Sequence, residues 1–160
     1  MADQLEVEGR DREASEGRMP RVATAESLTG GLLSNALAVR KDAGEWYLGG
    51  VVAYAPSVKE RLLQIGDAPV VSERAVRAMA DNVAQLLGAD ISVAVTGVGG
   101  PGSEDGVEPG TVWIAVHGPR GTVARLHHFD GDPSEVCTQT CDVAVAALDR
   151  EIQELDGAPC

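Results

Sequence analysis

Five short runs of small aliphatic residues, set between segments of helical period, decide what this sequence can fold into. Arg21 to Ala25, Leu48 to Ala55 and Ile91 to Thr96 read as strands, the last apolar enough to be buried on both faces. Between them, Thr29 to Val39 and Ser57 to Gln64 read as helices. A longer helix runs to Leu87, its apolar residues at 75, 76, 79, 83, 86 and 87 fitting a 3.6-residue period. Ser72 suits its N-cap and Gly88 the position just past its end. Gly118-Pro119-Arg120-Gly121 reads as a turn joining strands Thr111 to His117 and Thr122 to Phe129. A last helix covers about Ser134 to Leu155, with Val136, Thr140, Val143, Ala147 and Leu148 on one face. Early strand–helix alternation followed by a late hairpin implies a single layered α/β/α domain with a mixed β-sheet. Its core must be aliphatic, because hydrophobic residues make up 44% of the chain and aromatic ones only 3%.

A chain of 160 residues is one domain by the usual size prior. That domain is expected over residues 19–156. Residues 1–18, with six acids, three arginines and no steady period, read as a disordered acidic leader. A formal charge of −12 disfavours nucleic acid and anionic membranes as partners, since both demand a cationic footprint. The N-terminus lacks the apolar core of a signal peptide, and no window approaches the ~18 apolar residues of a membrane span. The expected location is the cytoplasm. Cys137 and Cys141 stand one helical turn apart, with no CxxC or nearby His to complete a set of four ligands. They read as reduced, packed cysteines, and no metal or cofactor is expected.

Chemistry concentrates in three places. Ser27 sits where the first strand gives way to a helical run, facing the N–H groups that open a helix and favour negative charge. A serine there also reads as a plain N-cap, a role open to Thr29 as well. As a nucleophile Ser27 needs a base, and His117, His127 and His128 fall on strand-like runs. Lys59 is the better candidate, provided burial or a neighbouring cation eases loss of its proton. Tyr54 is placed to pass that proton or to hold the lysine. The alternatives are a solvated lysine beside Glu60 and Arg61, and a core tyrosine. A dehydrogenase of the Tyr-x-x-x-Lys type is a poor match, since four residues including Pro56 separate Tyr54 from Lys59. The third place is Thr96-Gly97-Val98-Gly99-Gly100-Pro101-Gly102. Its glycines satisfy G-x-G-x-x-G, but Pro101 and the acidic stretch to Glu108 lead into a strand rather than a helix. What survives is a loop whose bare amides approach an anion or carbonyl.

In this order and spacing the chain resembles the CinA C-terminal domain family, the nicotinamide mononucleotide deamidases. The resemblance is carried by Ala25-Glu26-Ser27-Leu28-Thr29-Gly30-Gly31, Gly49-Gly50-Val51-Val52-Ala53-Tyr54 and Lys59-Glu60-Arg61-Leu62-Leu63. It continues through Ala89-Asp90, Thr96-Gly97-Val98-Gly99-Gly100-Pro101 and Pro109-Gly110-Thr111-Val112, over about residues 20 to 150. It implies a stand-alone, homodimeric amidohydrolase converting nicotinamide mononucleotide to nicotinic acid mononucleotide and ammonia. Ser27 would be the nucleophile, with Tyr54 and Lys59 as its base. Thr29, Gly30, Gly31, Thr96, Gly97, Gly99 and Gly100 would bind substrate, the amides near Thr29-Gly30 or Thr96-Gly97 taking the oxyanion. The other reading is a non-catalytic CinA-like nucleotide-binding or interaction module. One departure bears on the choice. Family members commonly carry Gly-Asp-Arg before the last helix and a second Arg four residues on, whereas here Pro133 and Cys137 fill those positions. Arg40, Lys41 and Arg125 are candidates to compensate. The altered segment around Cys137 and Cys141 reads as an apolar contact at a subunit boundary.

Overall fold

Side-chain size alternates along the central strands and sorts the core into two halves, one on each face of the sheet. The computed structural model describes residues 18–157. Its elements are β1 (Val22–Glu26), α1 (Leu32–Ala38), α2 (Ala43–Trp46), β2 (Tyr47–Val52), α3 (Pro56–Leu63), α4 (Glu73–Leu87), β3 (Ile91–Gly97), β4 (Thr111–Gly118), β5 (Gly121–His128) and α5 (Pro133–Asp156). The strand order is β2-β1-β3-β4-β5. β1 pairs parallel with both β2 and β3, while β3–β4 and β4–β5 are antiparallel. The expected α/β/α layering and mixed sheet are both present.

One face carries Val22, Ile91, Val93, Val95, Val112 and Ile114 against α1, α2 and α5. The other carries Ala23, Ala25, Ala94 and Ala115, small enough for α4 to lie close with Val76, Met79 and Val83. Each fully buried aliphatic side chain contributes roughly 1.5–3 kcal/mol by leaving water. Buried polar groups on these faces are satisfied. Ser92 donates to the Ala80 carbonyl at 2.6 Å and Thr96 to that of Val70 at 2.6 Å. α4 begins and ends as expected, with the Ser72 hydroxyl accepting from the Ala75 amide and Gly88 left-handed at φ 69°.

Three differences have local causes. α1 starts at Leu32 rather than Thr29, because Thr29 is drawn into a turn in which Gly30 and Gly31 take positive φ values of 56° and 108°. β2 ends at Val52, short of Ala55, since Pro56 offers no N–H to continue pairing and instead opens α3. The four-residue α2 was not anticipated; a helix that short leaves little periodicity to read. On α5 the buried stripe is Val136, Thr140, Cys141, Ala144 and Leu148, shifted slightly from the one expected. Among the described residues no helix is long and apolar enough to cross a membrane. The expected leader lies outside the described residues except for Arg18, which pairs with Asp90 at 3.4 Å.

Candidate active site

The carboxyl end of β1 is held by an acid. Glu26, the last residue of that strand, is fully buried. One carboxylate oxygen accepts from the Thr29 hydroxyl (2.6 Å) and from the Gly31 and Leu33 amides (both 3.0 Å). The other accepts from the Ser34 amide (2.7 Å) and hydroxyl (2.5 Å). A helix start leaves N–H groups unpaired, normally met by a side chain at the N-cap. Gly31 fills that position and has no side chain, so the strand supplies the cap instead. Five charge-assisted donors are what makes a carboxylate tolerable at zero exposure. The clamp also fixes the turn from Ser27 to Gly31, in which the Gly30 amide donates to the Ser27 carbonyl at 3.1 Å.

This arrangement occupies several of the groups expected to bind substrate. The Gly31 amide and the Thr29 hydroxyl are engaged by Glu26, the Gly30 amide by Ser27 and the Thr96 hydroxyl by Val70. Thr29, Gly30, Gly31 and Thr96 lie outside the cavity beside Ser27, whereas Gly97, Gly99 and Gly100 line it. The Gly99 and Gly100 amides donate no hydrogen bond to any described residue, which leaves them available to a ligand. Gly97 has a packing reason to be glycine, since a Cβ there would lie 2.6 Å from the Thr111 carbonyl oxygen. The loop beyond is closed at its base. Val98 donates to Thr111 (2.9 Å), Gly110 to Val98 (2.7 Å) and Phe129 to Gly110 (2.8 Å).

Ser27, Tyr54 and Lys59 all line this one cavity of about 400 Å³. It opens where β1, β2 and β3 end, the place in an α/β sheet where ligands generally bind. Ser27 is 4% exposed and Lys59, on α3, is also 4% exposed. Burial pushes the Lys59 ammonium below the ordinary lysine range, and the Glu104 carboxylate partly opposes that. Tyr54 differs from expectation: it is 70% exposed, so it stands at the mouth of the cleft instead of bridging a water-poor interior. Glu104 also lines the cavity, its backbone fixed by reciprocal bonds with Val107 at 3.1 and 2.9 Å.

The segment where the resemblance implies arginines faces the same space. Pro133 and Cys137 both line the cavity, and the Cys137 thiol donates to the Leu28 carbonyl at 3.3 Å. Cys141 packs in the chain's own core, where burial pushes its thiol up to about 12. The candidate compensating cations lie elsewhere. Arg40 forms a bidentate pair with Asp149 on α5 at 2.8 and 3.0 Å, and neither Lys41 nor Arg125 lines the cavity. The histidines stay out of it too: His117 bonds Asp81 and Thr122, and His127 stacks on Phe129.

Sequence reasoning missed the parts played by Glu26 and Glu104. For Glu26 a signal existed: a helix entered through Gly30-Gly31 has no local cap and must find a carboxylate or hydroxyl from another segment. Glu104, one acid in an acidic loop, carried none.

A mixed sheet covered on both faces, with a buried serine and a buried lysine lining one cavity at its parallel strand ends, defines an α/β protein with a cleft at that edge. The family model for the CinA C-terminal domain matches residues 7–152. This chain belongs to that family. The protein YdeJ of Escherichia coli K12 is 37% identical over 134 residues, 80% of this chain and 78% of its own length. A CinA-like protein of Prochlorococcus marinus MIT 9313 is 43% identical over 135 residues, 81% of this chain. The chain spans 31% of the length of that relative, and a similar third of CinA-like relatives from Mycobacterium. Among solved structures, a CinA superfamily protein from Klebsiella pneumoniae 700603 superposes with a TM-score of 0.81 at 36% identity. That match covers 85% of this chain and 89% of the other.

Proposed function

We propose that this chain is an amidohydrolase acting on the carboxamide of a pyridine nucleotide. Nicotinamide mononucleotide is the substrate suggested by the family resemblance. The observation that carries the reading is the meeting of Ser27, Lys59 and two free glycine amides around one cavity. The Ser27 hydroxyl attacks the carboxamide carbon and its proton passes to the Lys59 amine, which burial holds closer to its free-base form. The Gly99 and Gly100 amides receive the carbonyl oxygen as it becomes an oxyanion, each donor worth about 3 kcal/mol in such sites. Lys59 returns the proton to the departing nitrogen, ammonia leaves, and an ester remains on Ser27. Water attacks that ester, Lys59 takes a proton from it and gives it back to Ser27, and the carboxylic acid is released. Tyr54, mostly in solvent, closes over the bound ring rather than relaying a proton.

Ser27→Ala is expected to abolish ammonia release from nicotinamide mononucleotide while leaving the thermal midpoint unchanged. Undiminished release would remove the mechanism. A second reading, a binder without turnover, is favoured by Pro133 and Cys137 standing at the two arginine positions. Saturable binding of the nucleotide without ammonia release in the unaltered protein would establish it. A homodimer is proposed on the family resemblance alone, and light scattering at micromolar concentration checks it.

A further inference from the structure

We infer that the cavity selects a cationic pyridinium carboxamide that carries no phosphate, a nucleoside in preference to the mononucleotide. The inference narrows the substrate class of the amidohydrolase just proposed and rests on that reading.

Among the described residues, the charged side chains lining the cavity are one lysine and one glutamate, Lys59 and Glu104. Lys59 is buried with no hydrogen-bond partner among the described residues, and burial moves its ammonium below the ordinary lysine range. Glu104 supplies the one carboxylate among the described lining residues, a counter-charge for a cationic ring. A phosphate dianion calls for guanidinium or ammonium groups, and positions 133 and 137 offer a pyrrolidine ring and a thiol. The start of α5 would otherwise attract an anion, but it is already closed by its own capping box. There Asp132 accepts from the Glu135 amide at 2.9 Å and Glu135 accepts from the Asp132 amide at 2.8 Å. Two carboxylates therefore stand at the helix end where Pro133 meets the cavity.

A phosphate close to the base would also work against it. Placed near Lys59, its negative charge would stabilise the ammonium form and withhold the free amine from Ser27. A pyridinium ring has the opposite effect on Lys59 and a counter-charge in Glu104. The free Gly99 and Gly100 amides meet the carbonyl oxygen whichever ligand is bound. The chain's net charge of −12 acts in the same direction at longer range, favouring a ligand of charge +1 over one of −1.

The test uses Ser27→Ala, so that binding is read without turnover, with nicotinamide riboside, nicotinamide mononucleotide and uncharged nicotinamide as calorimetric titrants. The expected result is that the riboside binds at least as tightly as the mononucleotide. Adding Glu104→Gln should weaken the riboside by about fivefold or more, the low end of a charge-pair coupling, and leave nicotinamide unchanged. Adding Cys137→Arg should tighten the mononucleotide by about tenfold, the effect of one guanidinium–phosphate fork. Mononucleotide binding tenfold tighter than riboside, or no riboside binding, would overturn the inference. Ammonia assays on the unaltered protein separate the two readings. Release strongly favouring the mononucleotide sinks the phosphate-free preference and keeps the hydrolase. Riboside binding as expected with no ammonia from any ligand keeps the preference and sinks the hydrolase.

Discussion

Removing the Glu26 side chain is the perturbation whose cost follows most directly from the geometry. Glu26→Ala leaves the amides of Gly31, Leu33 and Ser34 without their acceptor, along with the Thr29 hydroxyl and one bond of Ser34. A buried donor left unpaired costs about 1–3 kcal/mol. The Leu33 amide is deeply buried, while those of Gly31 and Ser34 are partly so and recover some bonding from water entering the vacated space. The sum is about 4 kcal/mol, a large part of the 5–15 kcal/mol that typically holds a domain together. At roughly 3 °C per kcal/mol for a domain of this size, the melting midpoint falls by about 12 °C. Glu26→Gln keeps the shape and one carbonyl oxygen, but turns an NH2 group toward the Ser34 amide. It should cost about 2 kcal/mol, one orphaned donor and one lost charge-assisted bond. Urea unfolding followed by far-ultraviolet circular dichroism, with the slope m unchanged, reads both values. An alanine variant less than about 1 kcal/mol below the parent, or a glutamine variant as unstable as alanine, would refute the clamp.

Other outcomes follow from the same structure. Lys59→Met should abolish hydrolysis and raise stability at pH 7 by about 1 kcal/mol, as removal of a buried active-site charge commonly does. The sign is set by burial: the folded-state pKa lies below the ordinary 10.5, so the unfolded chain binds more protons between the two values. The parent therefore gains stability as pH rises through that window, and Lys59→Met should lose this slope in pH-dependent melts. The acid limb of kcat/KM should report the same lowered lysine pKa, falling below 10.5. Gly50→Ala drives a Cβ into the Thr24 hydroxyl and to 2.7 Å from the Ser34 hydroxyl, and should cost about 2 kcal/mol in urea titration. Arg40→Ala removes an exposed pair with Asp149, and its loss should stay under about 1 kcal/mol and shrink in high salt.

The long helix α4, buried strand β3 and hairpin β4–β5 were legible because each carries its signal locally: a full 3.6-residue stripe, an unbroken apolar run, a Gly-Pro-Arg-Gly turn. The start of α1 was not, since it is decided by a carboxylate seven residues before Leu33 whose contacts no propensity records. The same gap applies to the amides around Ser27. Sequence marks which amides are near the serine, but not which are already occupied. The shared cavity of Ser27, Tyr54 and Lys59 was reachable from motif spacing, whereas the exposure of Tyr54 depends on how Pro56 turns the chain into α3.

Because the glycine loop is tied off at its root by Val98, Gly110 and Phe129, its outer part hangs from the sheet without carrying any of the sheet's load. Doubling the length of such a segment adds only about 0.6 kcal/mol of closure entropy. Lineages can therefore lengthen, shorten or recharge the tip around Glu104 while the strands beneath stay in register. Selectivity in this scaffold is free to drift faster than its architecture.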